Sequence, residues 1–327
     1  MGTLNIGLVG ASRVATYAII APARATAGLC VHGVAARNPG RARHYAVEHG
    51  LARAYPEYAD LVNDPAIDLV YLGTPPASHV DQALAAITAG KPVLVEKPFA
   101  LDAAGARLVY EAAQASGVPV FEAMHSPHHA LFRRLLALLR EGAIGKLRHI
   151  EAVFDAPIEF DDPIRWSGTL GGGALMDLGV YPLAWLRRIA GETFTVELAT
   201  AEMRGDVDAS FSASLRFADG MTATVESSMT ATDRAARLVI EGERGRISVM
   251  NPLAPQLGHA LMITLDGTTQ TETVDGPSSY QAQLTAVRET LVNGKEFPFP
   301  SDDYVHSMTA IDQVRAAWPV AVGPRPT

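Results

Sequence analysis

The chain carries one cysteine, Cys30, among 327 residues. That excludes an internal disulfide and any thiolate-held metal site, and it fits a reducing, cytoplasmic setting. A basic excess is missing as well: 27 Lys and Arg stand against 35 Asp and Glu, for a net charge of −8. Nucleic acid is therefore not an expected partner, since its binders present a basic face. No apolar run approaches the roughly 18 residues that span a bilayer, so no membrane partner is expected. An apolar strand is under way by Asn5, which leaves no room for a signal peptide. Repeats, low-complexity tracts and long charge runs are absent too. What is present is 48% hydrophobic residues with scattered charge, enough for two globular domains with cores of their own.

The first third alternates strand and helix. Residues 4–9 form a continuous apolar strand that runs into Gly10-Ala11-Ser12-Arg13-Val14-Ala15. This is the position of a dinucleotide fingerprint, a glycine turn opening onto a helix whose free N–H groups hold pyrophosphate. The copy is imperfect, with Ser12 in place of the second glycine and Ala15 in place of the third. Gly10, Ser12, Arg13 and Val14 are its candidate contacts. A second strand over residues 30–36 ends in Arg37-Asn38, where the fingerprint expects the residue that reads the ribose. Arg37, with Arg41 one turn on, favours a 2′-phosphate and hence NADP over NAD; the same arginines also fit a solvated helix start.

The alternation continues through a strand at 68–73 and the loop Thr74-Pro75-Pro76-Ala77-Ser78-His79. There the prolines stiffen the floor of a nucleotide site, and His79 fits either a cofactor contact or a capping and packing role. After a helix over 79–89, a turn at Gly90-Lys91-Pro92 leads into the apolar run Val93-Leu94-Val95 and then Glu96-Lys97-Pro98. A lysine at the carboxyl end of such a strand lies on the edge where open α/β sheets bind ligands; a surface lysine closing a strand fits the spacing equally. Pro98 excludes helical geometry at Lys97, and the bond between them is a candidate for cis. A helix over 102–115 and a strand over 118–121 complete a doubly wound parallel sheet.

From about Glu122 the texture changes, so the expected domains are 1–122 and 123–327, with the last helix able to pack back on the first domain. A helix over 130–141 precedes strands with polar alternation at 147–154, 211–217, 221–229, 237–242, 245–249 and 261–265, which predict an antiparallel sheet with one covered face. The chemical interest lies in Ser167 to Pro182, where Gly171-Gly172-Gly173 permits close backbone approach to a ligand or another chain. Asp177 and Tyr181 stand four apart, on one face of a helix from Ala174, although Pro182 kinks or restarts that helix. A phenol beside an ammonium titrates in a useful range for acid/base work, and Lys97 is the candidate ammonium. A packed Tyr181 hydrogen-bonded to Asp177 fits the same residues. Arg165 and Trp166 fit a cation-stacking ledge or an ordinary core edge. A late helix over 280–291 ends at Asn293-Gly294, and the Pro-rich tail 320–327 is predicted to be disordered.

Taken together, the Gly10–Ala15 turn, Val95-Glu96-Lys97-Pro98 and the 171–179 segment resemble the Gfo/Idh/MocA family of oxidoreductases, over roughly residues 5–318. Tyrosine at position 181 is most similar to the branch holding dimeric dihydrodiol dehydrogenase and NADP-dependent D-xylose dehydrogenase. The resemblance implies an N-terminal Rossmann domain and a C-terminal α+β domain with a large open antiparallel sheet, commonly paired as a homodimer through that sheet. It implies cofactor contacts at Ser12, Arg13, Arg37, Thr74, Pro75, His79, Glu96, Lys97, Arg165, Trp166 and Tyr280. Lys97 and Tyr181 would be an acid/base pair converging beside one nicotinamide, with Asp177 orienting substrate or lysine. The implied activity is hydride transfer between NADP, or NAD, and a hydroxyl of a sugar, polyol or vicinal diol. An NAD-dependent glycosidase and a redox-silent nucleotide sensor share the fold; Arg37 speaks against the first, and the Lys97 and Tyr181 combination against the second. One departure is Met124-His125-Ser126-Pro127-His128-His129, where relatives carry an aromatic and an arginine before a proline. No carboxylate or cysteine spacing supports a metal at these histidines, so a changed substrate preference is expected.

Overall fold

The structure, a computed structural model, describes residues 2–318; the tail at 320–327 lies outside them. Six strands, β1 (Leu4–Val9), β2 (Leu29–Ala35), β3 (Arg53–Tyr55), β4 (Leu69–Leu72), β5 (Val93–Val95) and β6 (Val120–Glu122), form a parallel sheet in the order β3-β2-β1-β4-β5-β6. Helices connect them, so both faces are covered, and the central strands are apolar throughout: β4 and β5 are buried at every position. The register pairs Val9 with Leu72, Leu72 with Val95 and Val95 with Glu122. Gly10, Gly73, Glu96 and Ala123 therefore leave the sheet at one level on its carboxyl edge. Strand order reverses between β1 and β4, which makes that gap the switch point where such sheets take ligands.

Eight further strands form a second sheet: β7 (Leu147–Asp155), β8 (Phe194–Arg204), β9 (Val207–Phe217), β10 (Thr222–Ser228), β11 (Ala235–Gly242), β12 (Gly245–Met250), β13 (Ala260–Leu265) and β14 (Thr268–Glu272). Their order is β14-β13-β12-β11-β7-β10-β9-β8. The sheet is antiparallel as expected except for β7 and β10, which pair in parallel with Thr222 opposite His149. Only a tight hairpin forces antiparallel pairing, and a long connection separates these two strands. A π turn (Leu175–Gly179) and the helix Val180–Ala190 pack on β7, β9 and β10. On β10, buried Ala223, Val225 and Ser227 alternate with more exposed residues.

The chain divides into two compact units. Among the described residues, the first is 2–133 with Ala254–Gly258 and Val274–Met308; the second is Arg134–Leu253, His259–Thr273 and 309–318. The first unit thus runs past Glu122 and takes in the late helix Ser279–Asn293, because Leu284 and Val287 complete the core built on Ile6, Leu8, Ile19 and Leu94. Among the described residues, no helix is long and apolar enough to cross a membrane.

Candidate functional site

In the first unit the glycine turn sits directly against the end of β4. Gly10 has φ +98°, and a Cβ there would lie 2.8 Å from the Gly73 carbonyl oxygen, so glycine is required on both counts. Ser12 caps the helical stretch that starts at Arg13, accepting from the Ala15 N–H at 3.3 Å. The first-turn N–H groups have no intrahelical acceptor by construction, and Gly10 leaves the turn without a side chain beside them, so these residues fit a dinucleotide. Val14 packs against the core, which leaves its N–H as its contribution. Arg41 donates to the Ala11 carbonyl at 2.9 Å and Tyr45 to the Ser12 carbonyl at 2.9 Å; the turn is braced from the next helix. That helix, Pro39–Glu48, is capped by Asn38, which leaves Arg37 exposed in the loop before it; Arg13 is exposed as well.

The next loops along the edge interlock. Thr74 donates through Oγ1 to Gln82 at 2.6 Å, and Pro75 leads into a 3₁₀ turn, Pro76–Ser78. The resemblance puts His79 at the cofactor, yet its side chain is enclosed at 0% exposure, with Nε2 at 2.8 Å from the Thr74 carbonyl oxygen. Glu96 is buried; the Tyr71 hydroxyl donates to its Oε1 at 2.7 Å, and the Lys97 N–H reaches Oε2 at 3.2 Å. Burial first, and the Glu96 charge second, hold the Tyr71 phenol well above its usual pKa. Lys97 is half-buried, and its peptide bond to Pro98 is cis.

Tyr280 stacks on His125 with ring centroids 3.9 Å apart, and Tyr17 meets it edge-on at 5.6 Å. Ser279 donates to Gln256 at 3.1 Å, so its oxygen is placed to accept from His125 Nδ1 at 2.9 Å. The three histidines go separate ways: His128 meets the edges of Phe297 and Phe299, and His129 Nδ1 accepts from the Leu131 N–H at 3.0 Å.

In the second unit the triple glycine does permit close approach, but to its own chain. A Cβ on Gly172 would clash with the Arg165 carbonyl oxygen, and one on Gly173 with the Asp208 carboxylate. Asp208 was not legible as a site residue: it lies on β9, more than thirty positions from Leu175 of the π turn, whose N–H it accepts at 2.6 Å. Burial pushes its carboxyl up to about 6, against the hydrogen bond from Leu175. Asp177 accepts from Arg165 Nε at 2.6 Å, and Asp162 accepts from Arg165 Nη1 at 2.8 Å. Asp177 before all else raises the Arg165 pKa. The cation on the Trp166 aromatic pair is Arg204, 3.4 Å from the Phe160 centroid and 5.3 Å from that of Trp166. Trp166 itself donates to the Glu159 carbonyl at 2.9 Å.

The π turn places Asp177 and Tyr181 at a wider winding than the even α spacing assumed. The helix restarts at Val180, so Pro182 falls in its first turn, where no N–H is needed. Tyr181 is 7% exposed and meets Phe154 edge-to-face at 5.7 Å.

Residues 4–124 match the oxidoreductase family with an NAD-binding Rossmann fold, and residues 132–248 match the GFO/IDH/MocA C-terminal domain. Trans-1,2-dihydrobenzene-1,2-diol dehydrogenase of Xenopus tropicalis is 30% identical over 283 residues, covering 83% of this chain and 84% of that protein. The chain belongs to the Gfo/Idh/MocA family. It is an oxidoreductase of that family, with the dinucleotide fold in its first unit. Another relative is D-xylose 1-dehydrogenase (NADP(+)) 2 of Haloferax volcanii, 28% identical over 95% of this chain and 96% of its own. The fold is shared with a 3-ketoreductase from Actinomadura kijaniata solved with NADP and TDP-benzene. Its TM-score is 0.89 at 24% identity, over 97% of this chain and 98% of that one.

Proposed function

We propose that the protein is an NADP-dependent dehydrogenase or reductase acting on a hydroxyl of a sugar, polyol or vicinal diol, or on the corresponding carbonyl. The observation that carries this reading is the alignment of the Gly10 turn, Thr74 and Glu96-Lys97 along one carboxyl edge, with Arg37 exposed at the end of the neighbouring β2. Gly10, Ser12, Arg13 and Val14 would hold the pyrophosphate, and Arg37 the 2′-phosphate, where an acidic residue would serve NAD. Arg41 would act by bracing the turn. Thr74, Pro75, Glu96, Lys97 and Tyr280 would line the rest of the dinucleotide site. When bound, the dinucleotide supplies the hydride chemistry.

Tyr181 would take the substrate hydroxyl proton in oxidation and return it in reduction, and Lys97 would donate a hydrogen bond and hold the proton equilibrium near neutrality. The Arg165–Asp177 ion pair would fix the carboxylate that orients substrate. The D-xylose and dihydrodiol dehydrogenases among the relatives support this substrate class. For assembly, the outward side of the eight-stranded sheet, with half-buried Ser212, Ser214 and Thr224, is the proposed homodimer surface. The deciding experiment is an absorbance screen for reduced nicotinamide with both cofactors across aldoses, inositols and aromatic dihydrodiols. Turnover with NADP supports the reading; glycoside hydrolysis without net cofactor use, or cofactor binding without any turnover, would replace it.

A further inference from the structure

The first unit contains a fully buried histidine whose ring lies against main-chain carbonyls. His79 opens the helix His79–Thr88, and backbone carbonyls from two loops converge on its ring. Nε2 lies 2.8 Å from the Thr74 oxygen, and Nδ1 lies 3.2 Å from the oxygens of both Pro98 and Phe99. Thr74 belongs to the loop after β4; Pro98 and Phe99 directly follow Lys97. Burial disfavours the imidazolium and lowers the pKa, while the carbonyls of Thr74, Phe99 and Pro98 pull the other way. A neutral ring offers one N–H and a protonated ring two. Protonated, the ring donates to both loops; neutral, it donates to one loop and packs against the carbonyl oxygens of the other, so that in either state its contacts are with main chain of both. Such contacts place the backbone of the Lys97 segment and not merely one rotamer.

We infer that His79 is a positioning residue that ties the Thr74 loop to the Lys97 loop, so that nucleotide floor and ammonium are set as one piece. The inference rests on the reading of Lys97 as a proton-handling residue. A lysine carried on a shifted backbone presents its ammonium elsewhere, and a misplacement of about 1 Å costs on the order of 100-fold in rate.

The chain has only four lysines, Lys91, Lys97, Lys146 and Lys295, so reductive methylation with peptide mass mapping reads each one separately. His79→Leu removes both polar contacts, and His79→Gln keeps an amide donor. In His79→Leu the methylation rate of Lys97 should change severalfold while the other three stay at wild-type rates, with His79→Gln intermediate. Its kcat should fall roughly 10- to 100-fold, with partial rescue in His79→Gln. A Lys97 reactivity unchanged in both variants overturns the inference, whatever happens to turnover. Should His79→Leu fail to fold, His79→Gln against wild type decides the same point. Lys97→Met separates the two readings: full turnover in that variant defeats the catalytic role, while the methylation pattern still decides what His79 does.

Discussion

Lys97 leaves a three-residue strand buried on both faces, and a histidine ring steadies the loop that follows it. Tyr181 instead stands in the first turn of a helix preceded by glycines, and a carboxylate on β9 holds the N–H of Leu175 at the start of that segment. Both anchors are buried and titratable, and burial moves both toward their neutral forms, but their consequences with pH are opposite. His79 is lowered from 6.5, so its share of stability is complete above that value and is lost as pH falls toward its folded pKa. Asp208 is raised from 3.8 to about 6, so its share is complete below 3.8 and is lost as pH rises through 6. Acid therefore strains the first unit's anchor and neutrality the second's. A sheet edge and a helix start call for different partners: the first must satisfy loop carbonyls, the second a helix N–H.

The comparison can be broken most decisively at the lysine. Lys97→Met is expected to lower kcat by about 10³-fold or more, with NADPH affinity by fluorescence titration nearly unchanged. Retained turnover would leave the first unit's shelf with nothing catalytic to hold. Tyr181→Phe is expected to lose about 10²-fold or more with little loss of stability, since the ring still fills its place beside Phe154. Gly173→Ala should cost on the order of 2–4 kcal/mol in chemical denaturation, because its Cβ meets the Asp208 carboxylate at φ +109°. A wild-type Tm in that variant would mean the glycine segment yields easily and anchors little.

Asp208→Asn sharpens the contrast through pH. Wild-type stability minus that of the variant should fall by about 2 kcal/mol between pH 4 and 6.5. A flat difference would show Asp208 ionising as freely as in the unfolded chain. The smallest effect is expected from Arg37→Gln, with the kcat/KM preference for NADP over NAD reduced roughly tenfold. An unchanged ratio would move 2′-phosphate recognition to Arg13 or elsewhere.

Legibility followed burial and chain distance. The apolar runs of β1, β4 and β5 were readable because both of their faces are buried, which removes any ambiguity of period. Strand β8 was not predicted: as an edge strand it keeps Glu197, Leu198, Glu202 and Met203 exposed, and the apolar alternation fades along it. The helix Asp303–Ala316 was missed as well. The triple glycine announced a close approach, but what approaches it is the 164–165 backbone and Asp208. The Arg165–Asp177 pair spans twelve residues across an irregular loop, beyond the reach of helical or strand periodicity.

Sequence alone determined the alternation that makes the first sheet parallel, the glycine turn after β1, the lysine at a strand end and the family, because these depend on local pattern and short spacing. Tertiary structure alone decided that His79 faces loop carbonyls, that Asp208 receives the Leu175 N–H and that Arg165 is bound by Asp177 and Asp162. Such pairings depend on which buried polar groups meet after the backbone has packed. Desolvation then forces each one to find a partner, wherever in the chain that partner lies.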